Sequence, residues 1–304
     1  MSDCAVSNKL VHEISTDAGI ERRSGLSYEE FSREYLQPLR PVVLTDATRQ
    51  WKALSRWTPD FFRREFDSRE VNVWRDRRYT VRELIDLVES STPGKPAPYL
   101  RNEYLADVFP ELLCDVEPTP PPMSHNWLCG DFHSAKLDTL LNRCTLPEIY
   151  IGGAGGGFPF LHYDLYHTHA FLNQIYGRKL FVIYAPQQTA FLYPNPQIPN
   201  QSMVDIASPD FTKYPLFAKA VPIKFVLEPG QTVFVPAGWW HTTRMLSASI
   251  TVSVNHASES NWTNVVHDVR QSLRQSPNLA TRWAAGPIAA YLYGIGLFNS
   301  LARS

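Results

Sequence analysis

Phe158-Pro-Phe-Leu-His162-Tyr-Asp164 and, ending 77 residues beyond Asp164, Glu228-Pro-Gly-Gln-Thr-Val-Phe-Val-Pro-Ala-Gly-Trp-Trp-His241 are the two stretches on which this chain's fold turns. The apolar run Phe158 to Tyr163 reads as a strand, and a side-chain period of two places His162 and Asp164 on one face of it. Thr232-Val-Phe-Val-Pro236 reads as a second strand, carried through Trp239-Trp240 to His241. Two imidazoles and one carboxylate make a facial set that leaves up to three positions open on an octahedral metal, as in non-haem Fe(II) oxygenases. The same ligands suit zinc or manganese, so residue types alone leave the metal open.

Working outward, short strand-like runs separated by Gly and Pro begin near Glu148, the pattern of a β-sandwich or barrel. Upstream, Ser27-Tyr-Glu-Glu30 spells a capping box for a short helix reaching about Tyr35, and Pro41 to Leu44 reads as a strand. Thr58-Pro59 opens a helix through Phe66, Val71 to Trp74 is a strand, Thr80-Val-Arg-Glu83 caps a helix through Val88, and Pro98-Tyr-Leu100 is a short strand. Residues 115–124, with four prolines, predict an irregular loop. Downstream, Ser260 is a cap candidate for a helix with Trp262, Val265, Val266, Val269 and Leu273 on one face. A second helix is predicted over 287–302, apolar on nearly every side and so in need of burial. The glycine run Gly152 to Gly157 is not a phosphate loop: no Gly-Lys-Ser/Thr follows, and the next element is a strand.

The chain has 304 residues, 44% of them hydrophobic, enough for a sizeable core. Its 29 basic and 30 acidic residues give a net charge of −1, which shows no global footprint for nucleic acid or an anionic membrane. Cys4, Cys114, Cys129 and Cys144 form no CxxC pair, so unpaired thiols in a cytoplasmic protein are expected. The first residues lack an apolar signal-peptide core, and the 16-residue apolar run Trp283 to Phe298, broken by Pro287 and three glycines, is short for a membrane span.

Gln174-Ile-Tyr-Gly177-Arg-Lys179-Leu-Phe-Val-Ile-Tyr184 between the two histidine segments, and Ser249-Ile-Thr-Val-Ser-Val-Asn255 beyond them, complete an order of segments. It resembles the Jumonji C (JmjC) family of cupin-fold Fe(II)/2-oxoglutarate oxygenases, above all its small hydroxylase branch. The resemblance spans roughly residues 26–257 and is most specific around the two histidines. It implies a mainly β fold: a double-stranded β-helix (cupin/jelly-roll) core with N-terminal α/β elements and C-terminal helices. It divides the chain into a loosely ordered 1–25, a catalytic domain 26–257 with its N-terminal α/β part, and C-terminal helices 258–304, which pair subunits into a homodimer in similar hydroxylases.

By the same resemblance, His162, Asp164 and His241 ligate Fe(II), 2-oxoglutarate takes two open positions and O2 the last. Lys179, with Arg178 as its competitor, pairs with the distal carboxylate of 2-oxoglutarate. Tyr99 and Ser253 match positions that assist it, and Asn255 matches a recurrent asparagine near the metal. Asn173 does not align cleanly with the family's polar residue. His167 and His169 are candidates for substrate contact or plain pocket lining. One position departs: three residues before the first histidine the family often has threonine, and here Pro159 offers neither hydroxyl nor N–H. The resemblance implies hydroxylation of an amino-acid side chain in a protein or peptide. It disfavours lysine demethylation, because chromatin demethylases usually carry Glu where this chain has Asp164. A tRNA base or small natural product as substrate, and a non-catalytic metal-binding cupin, are the alternatives.

Overall fold

The computed structural model describes residues 19–73, 77–129, 143 and 146–301. Most of the segment expected to be loose, 1–25, lies outside them, and so do Trp74, Cys4 and Cys144; within it, Glu21–Arg23 is a strand, β1. Ser27 opens helix α1 (Tyr28–Phe31) through the expected reciprocal box: its hydroxyl accepts the Glu30 N–H, and the Glu30 carboxylate accepts the Ser27 N–H. The helix widens into a π turn over Ser32–Leu36 before strand β2 (Val42–Leu44). Helix α2 (Ala53–Arg56) precedes α3 (Pro59–Glu65), which starts where Thr58 accepts the Phe61 N–H at 3.1 Å with Pro59 in the first turn. The hairpin of β3 (Glu70–Val73) and β4 (Arg77–Thr80) leads into α4 (Val81–Glu89), again through a capping box, Thr80 with Glu83. Strand β5 (Leu100–Tyr104) and helix α5 (Leu105–Val108) follow. Two 3-10 turns, Pro110–Val116 and Pro121–Met123, give the proline-rich loop its shape.

The second half supplies β6 (Glu148–Gly152), β7 (His169–Tyr176), β8 (Lys179–Tyr184), β9 (Ile223–Leu227), β10 (Thr232–Val235), β11 (Trp240–Met245) and β12 (Ser249–His256). They form two facing sheets, one ordered β1-β2-β10-β7-β12-β6-β5 and one ordered β11-β8-β9. Only β1 and β2 run parallel within the large sheet. This is the jelly-roll arrangement expected, with the N-terminal elements extending one sheet at both ends. Between the sheets lie Phe181, Phe225, Ile183, Leu227, Val233 and Val235; the Phe181 and Phe225 rings stack at 5.3 Å. Gly177 makes the β7–β8 turn: it has φ +69°, and a Cβ there would stand 1.8 Å from the Ala248 carbonyl oxygen. That turn fixes the register that sends Arg178 to solvent and Lys179 inward.

Two local expectations need correction. Phe158 to Tyr163 is not a continuous strand; it is an extended segment that touches β11 through bridges at Gly157↔Arg244 and His162↔His241, because the flanking glycines and Pro159 interrupt a regular ladder. Nor does His241 close the strand that begins at Thr232. Pro236 to Gly238 turn the chain out of one sheet, with Gly238 at φ +76°, and His241 is the second residue of β11 in the other.

At the C-terminus, α6 (Trp262–Arg274) buries the five residues the sequence picked out, although its cap is Asn261 rather than Ser260. Helix α7 (Leu279–Leu301) starts eight residues before the expected 287 and runs through Pro287. Proline removes one helical hydrogen bond, and burial of Ala285, Ala289, Leu292 and Ile295 against α6 carries the helix past it. Among the described residues no helix is long and apolar enough to cross a membrane.

Phe181→Ala should lower the unfolding free energy by about 3–5 kcal/mol, because it empties the space between the sheets. A urea midpoint close to that of the parent chain would place the stabilising core elsewhere.

Candidate functional site

His162, Asp164 and His241 come together at the edge of the three-stranded sheet. Their candidate ligand atoms all lie within 4.8 Å of one another. The Asp164 carboxylate is 4.0 Å from Nε2 of His162 and 3.7 Å from Nε2 of His241, and the two rings are 4.4 Å apart. Backbone holds this spacing: the His162 N–H donates to the His241 carbonyl at 3.1 Å, and the His241 N–H donates to the His162 carbonyl at 2.6 Å. Gly157 allows the approach, since a Cβ there would stand 2.2 Å from the Thr243 carbonyl oxygen. Each imidazole points its Nδ1 at a backbone carbonyl, Phe160 for His162 (3.4 Å) and Trp239 for His241 (3.1 Å). With Nδ1 as donor, Nε2 keeps its lone pair toward the partner ligands, the tautomer a metal requires. Burial holds His162 well below its usual pKa, hence neutral, and raises that of Asp164. One carboxylate beside two imidazoles is the donor set of a divalent cation site.

The triad lines a cavity of about 420 Å³, shared with Tyr99, Lys179, Ser253 and Asn255. Lys179 is fully buried; its ammonium donates to Thr251 Oγ1 at 2.6 Å and lies 5.9 Å from the ring centres of Tyr99 and Tyr150. The Thr251 hydroxyl passes its own hydrogen to Gln174 Oε1 at 2.9 Å, and Gln174 Nε2 is tied to Ser249 Oγ and the Tyr176 carbonyl. Among the described residues no carboxylate lies within ion-pair distance of Lys179, and burial pushes its pKa down to about 7. Such a group is stabilised by an anion brought in from outside. Of Arg178 and Lys179, only Lys179 faces the cavity.

Other expected residues fall differently. Asn173 is structural, accepting from Thr232 Oγ1 at 2.7 Å and donating to the Val252 carbonyl. His169 is fully buried, accepts the Ala237 N–H at Nδ1 and meets Ser260 at Nε2; His167 pairs with Asp268 on α6. Neither lines the cavity, because the turn after Asp164 rotates both away from it. Pro159 also faces elsewhere, into a neighbouring crevice, while Phe158 and Phe160 on either side of it reach the cavity.

Sequence reasoning missed Glu148, Tyr150, Thr251 and Arg101. Glu148 and Tyr150 are alternate residues of β6, paired across the ladder with Ser253 and Thr251, so all four share the cavity face. The Tyr150 hydroxyl donates to the Glu148 carboxylate, and burial raises Glu148 to about 7. Arg101 lies over the Phe158 ring at 4.9 Å, and that ring stacks on His162 at 4.2 Å. The one sequence signal for the β6 pair was a charge and a phenol at alternate positions of an otherwise apolar strand. After Asp164, Tyr166 and His167 hold left-handed backbone at φ 57° and 47°, each worth about 1–3 kcal/mol of strain.

The cupin-like domain family matches residues 28–261 of this chain. The lysine-specific demethylase 8 of Xenopus tropicalis is 31% identical over 269 residues, covering 82% of this chain and 56% of that protein. The arginine-specific demethylase JMJ20 of Arabidopsis thaliana is 26% identical, covering 81% and 57%. The 2-oxoglutarate and iron-dependent oxygenase JMJD4 of Gallus gallus is 27% identical, covering 81% and 60%. The chain thus spans little more than half the length of these curated relatives.

Proposed function

This chain belongs to the JmjC-type cupin-like domain family, and on that premise we propose that it is an Fe(II)/2-oxoglutarate-dependent oxygenase that hydroxylates an amino-acid side chain of a protein or peptide. One observation carries the reading: three convergent metal-ligand atoms share a cavity with a buried ammonium that has no counter-charge among the described residues. His162, Asp164 and His241 hold the iron. When bound there with 2-oxoglutarate and O2, iron would supply the chemistry that couples decarboxylation of 2-oxoglutarate to succinate and CO2 with oxidation of a substrate C–H bond. Lys179 binds the distal carboxylate, with Thr251 fixing the ammonium and Tyr99 and Ser253 beside it. Phe158, Phe160 and Leu172 give the cavity apolar walls that keep water from competing.

The mouth supports a polypeptide substrate. Leu165 and Ile198 line it yet stay 53% and 45% exposed, next to the amides of Asn200 and Gln201. Glu148 offers an acceptor to an N–H-bearing side chain and would repel a phosphate-rich strand, which favours protein over tRNA. Demethylation is the second reading, because Tyr104, Tyr150, Phe158 and Phe160 line the same cavity as Glu148, a composition that also suits a methylated cation. The product separates the two: stable gain of an oxygen atom against loss of a methyl group as formaldehyde.

Anaerobic addition of Fe(II) and 2-oxoglutarate to the metal-free chain should produce a visible metal-to-ligand charge-transfer band, absent in His162→Ala. A folded, metal-loaded chain that gives no band sinks the oxygenase reading in favour of a binding cupin.

The pH dependence follows from two groups. Above pH 7 the free Lys179 loses its proton while the complex with a dicarboxylate keeps it, so binding takes up a proton. Glu148 ionises over the same range and adds a like charge. Affinity for 2-oxoglutarate should therefore weaken by about tenfold per pH unit above pH 7 from Lys179 alone, and Lys179→Met should bind weakly with a shallow profile. Calorimetric titration across that range checks it; affinity rising with pH would rule out Lys179 as the anion partner.

We also infer that the chain is a homodimer through α7. Leu279, Trp283, Tyr293, Leu297 and Leu301 recur at helical spacing on one exposed stripe, with Trp283 78% and Leu297 68% exposed. A second copy would cover this stripe with the same stripe. Trp283→Glu with Leu297→Glu should give a folded monomer by light scattering; an unchanged dimer would move the interface elsewhere.

A further inference from the structure

The segment between the ligand Asp164 and strand β7 is backbone-strained, and a helix outside the jelly roll holds it. Tyr166 and His167 are consecutive non-glycine residues in the left-handed region, at φ 57° and 47°. Left-handed backbone at two adjacent bulky residues persists only where surrounding contacts impose it, and it gathers where position matters to function. The contacts here come from α6 and the residue that caps it. The His167 ring meets the Asp268 carboxylate, Nδ1 to Oδ2, at 2.5 Å. The Asn261 side-chain amide donates to the His167 carbonyl at 2.8 Å. The Tyr166 ring is buried among Trp262, Val265 and Val266. On the inner side, the His167 N–H closes back on the Asp164 carbonyl at 3.2 Å, and the Tyr163 ring lies 4.7 Å from that of His167. His167 is thus clasped between the residues flanking the ligand and the helix.

We propose that Asp268 is a positioning residue for Asp164: by pinning His167 it holds the left-handed turn that presents the Asp164 carboxylate to the two histidines. The inference rests on the metal-site reading above, but its test separates the two. Partners that orient metal ligands typically change affinity by about 10–100-fold when removed. Asp268 stands one residue further out than such a partner, since it acts through a backbone turn, so the lower end applies.

The test is a titration of the metal-free full-length chain with Co(II), followed by the visible ligand-field bands of the bound ion, with circular dichroism as the fold check. The parent chain should bind one Co(II), and Asp164→Ala should abolish those bands; if it does not, the metal-site reading itself fails. Asp268→Ala should weaken Co(II) by about tenfold, while Arg270→Ala, on the exposed side of the same helix, should leave it unchanged. The discriminating variant is His167→Gly in the Asp268→Ala background. Glycine adopts positive φ without strain, so the turn no longer needs its clasp and Co(II) affinity should recover. A purely structural role for Asp268 in α6 would not respond to a change at 167. If Asp268→Ala does not fold, Asp268→Asn keeps the shape and an acceptor while losing the charge, and should show a smaller loss. Parent-like affinity in the folded Asp268 variant, or no recovery on adding His167→Gly, overturns the proposal.

Discussion

The reciprocal backbone bonds between His162 and His241 are the constraint on which the site depends. They join an irregular segment to the first residues of β11 and so set two imidazoles side by side from positions 79 apart in sequence. Once that pair is made, the extended backbone at Asp164 carries its carboxylate to within 4.0 Å of both rings, because residues two apart in extended chain share a face. The segment cannot be a full strand and still do this. A regular ladder would continue past His162 and leave no room for the turn at 165–167 that leads into the other sheet. Gly157 at one end and the turn at the other confine the extended stretch to the length the site needs.

The register of the large sheet then distributes charge along the cavity. Tyr150 pairs with Thr251 and Glu148 with Ser253, and two residues of strand advance roughly 7 Å. The Lys179 ammonium belongs to the layer of Thr251 and Tyr150, and the Glu148 carboxylate to the layer of Ser253. A buried ammonium and a buried carboxyl group one layer apart, each without an opposite charge among the described residues, cost desolvation energy that a fold does not retain for stability alone. The proposed co-substrate and substrate supply the missing partners: a carboxylate for the first, an N–H donor for the second.

What could be read from the sequence and what could not divide along the range of the interactions involved. Ser27, Thr58 and Thr80 announced their helices because a cap is decided within four residues. Lys179 was expected from the family resemblance; the turn at Gly177 is the local reason that it, and not Arg178, points inward. Glu148 was not: the same alternation would leave it on a wet edge had β6 paired differently, and only the cross-strand register with β12 places it in the cavity. His167 and His169 misled for the converse reason. Nearness in sequence to Asp164 suggested the site, yet a left-handed turn, which local sequence gives no glycine to mark, rotates them toward α6 and the β10–β11 connection.

That rotation also changes how the C-terminal helices stand to the rest of the chain. Tyr166, two residues from Asp164, is part of the same buried cluster as Trp262, Val265, Leu292 and Ile295, so packing runs without a break from the site through α6 to the inner face of α7. The Trp262 indole N–H donates to the Leu292 carbonyl at 2.8 Å, and Gly296 gives that indole room, since a Cβ there would stand 2.5 Å from it. The inner face of α7 is therefore committed to supporting the turn beside Asp164, and only the outer stripe is left for another copy. A pair formed through that stripe would brace α7 against α6, and through it the clasp at His167. On this geometry, loss of the pair would be felt first in how well the turn at 165–167 is held, with the sheets themselves untouched.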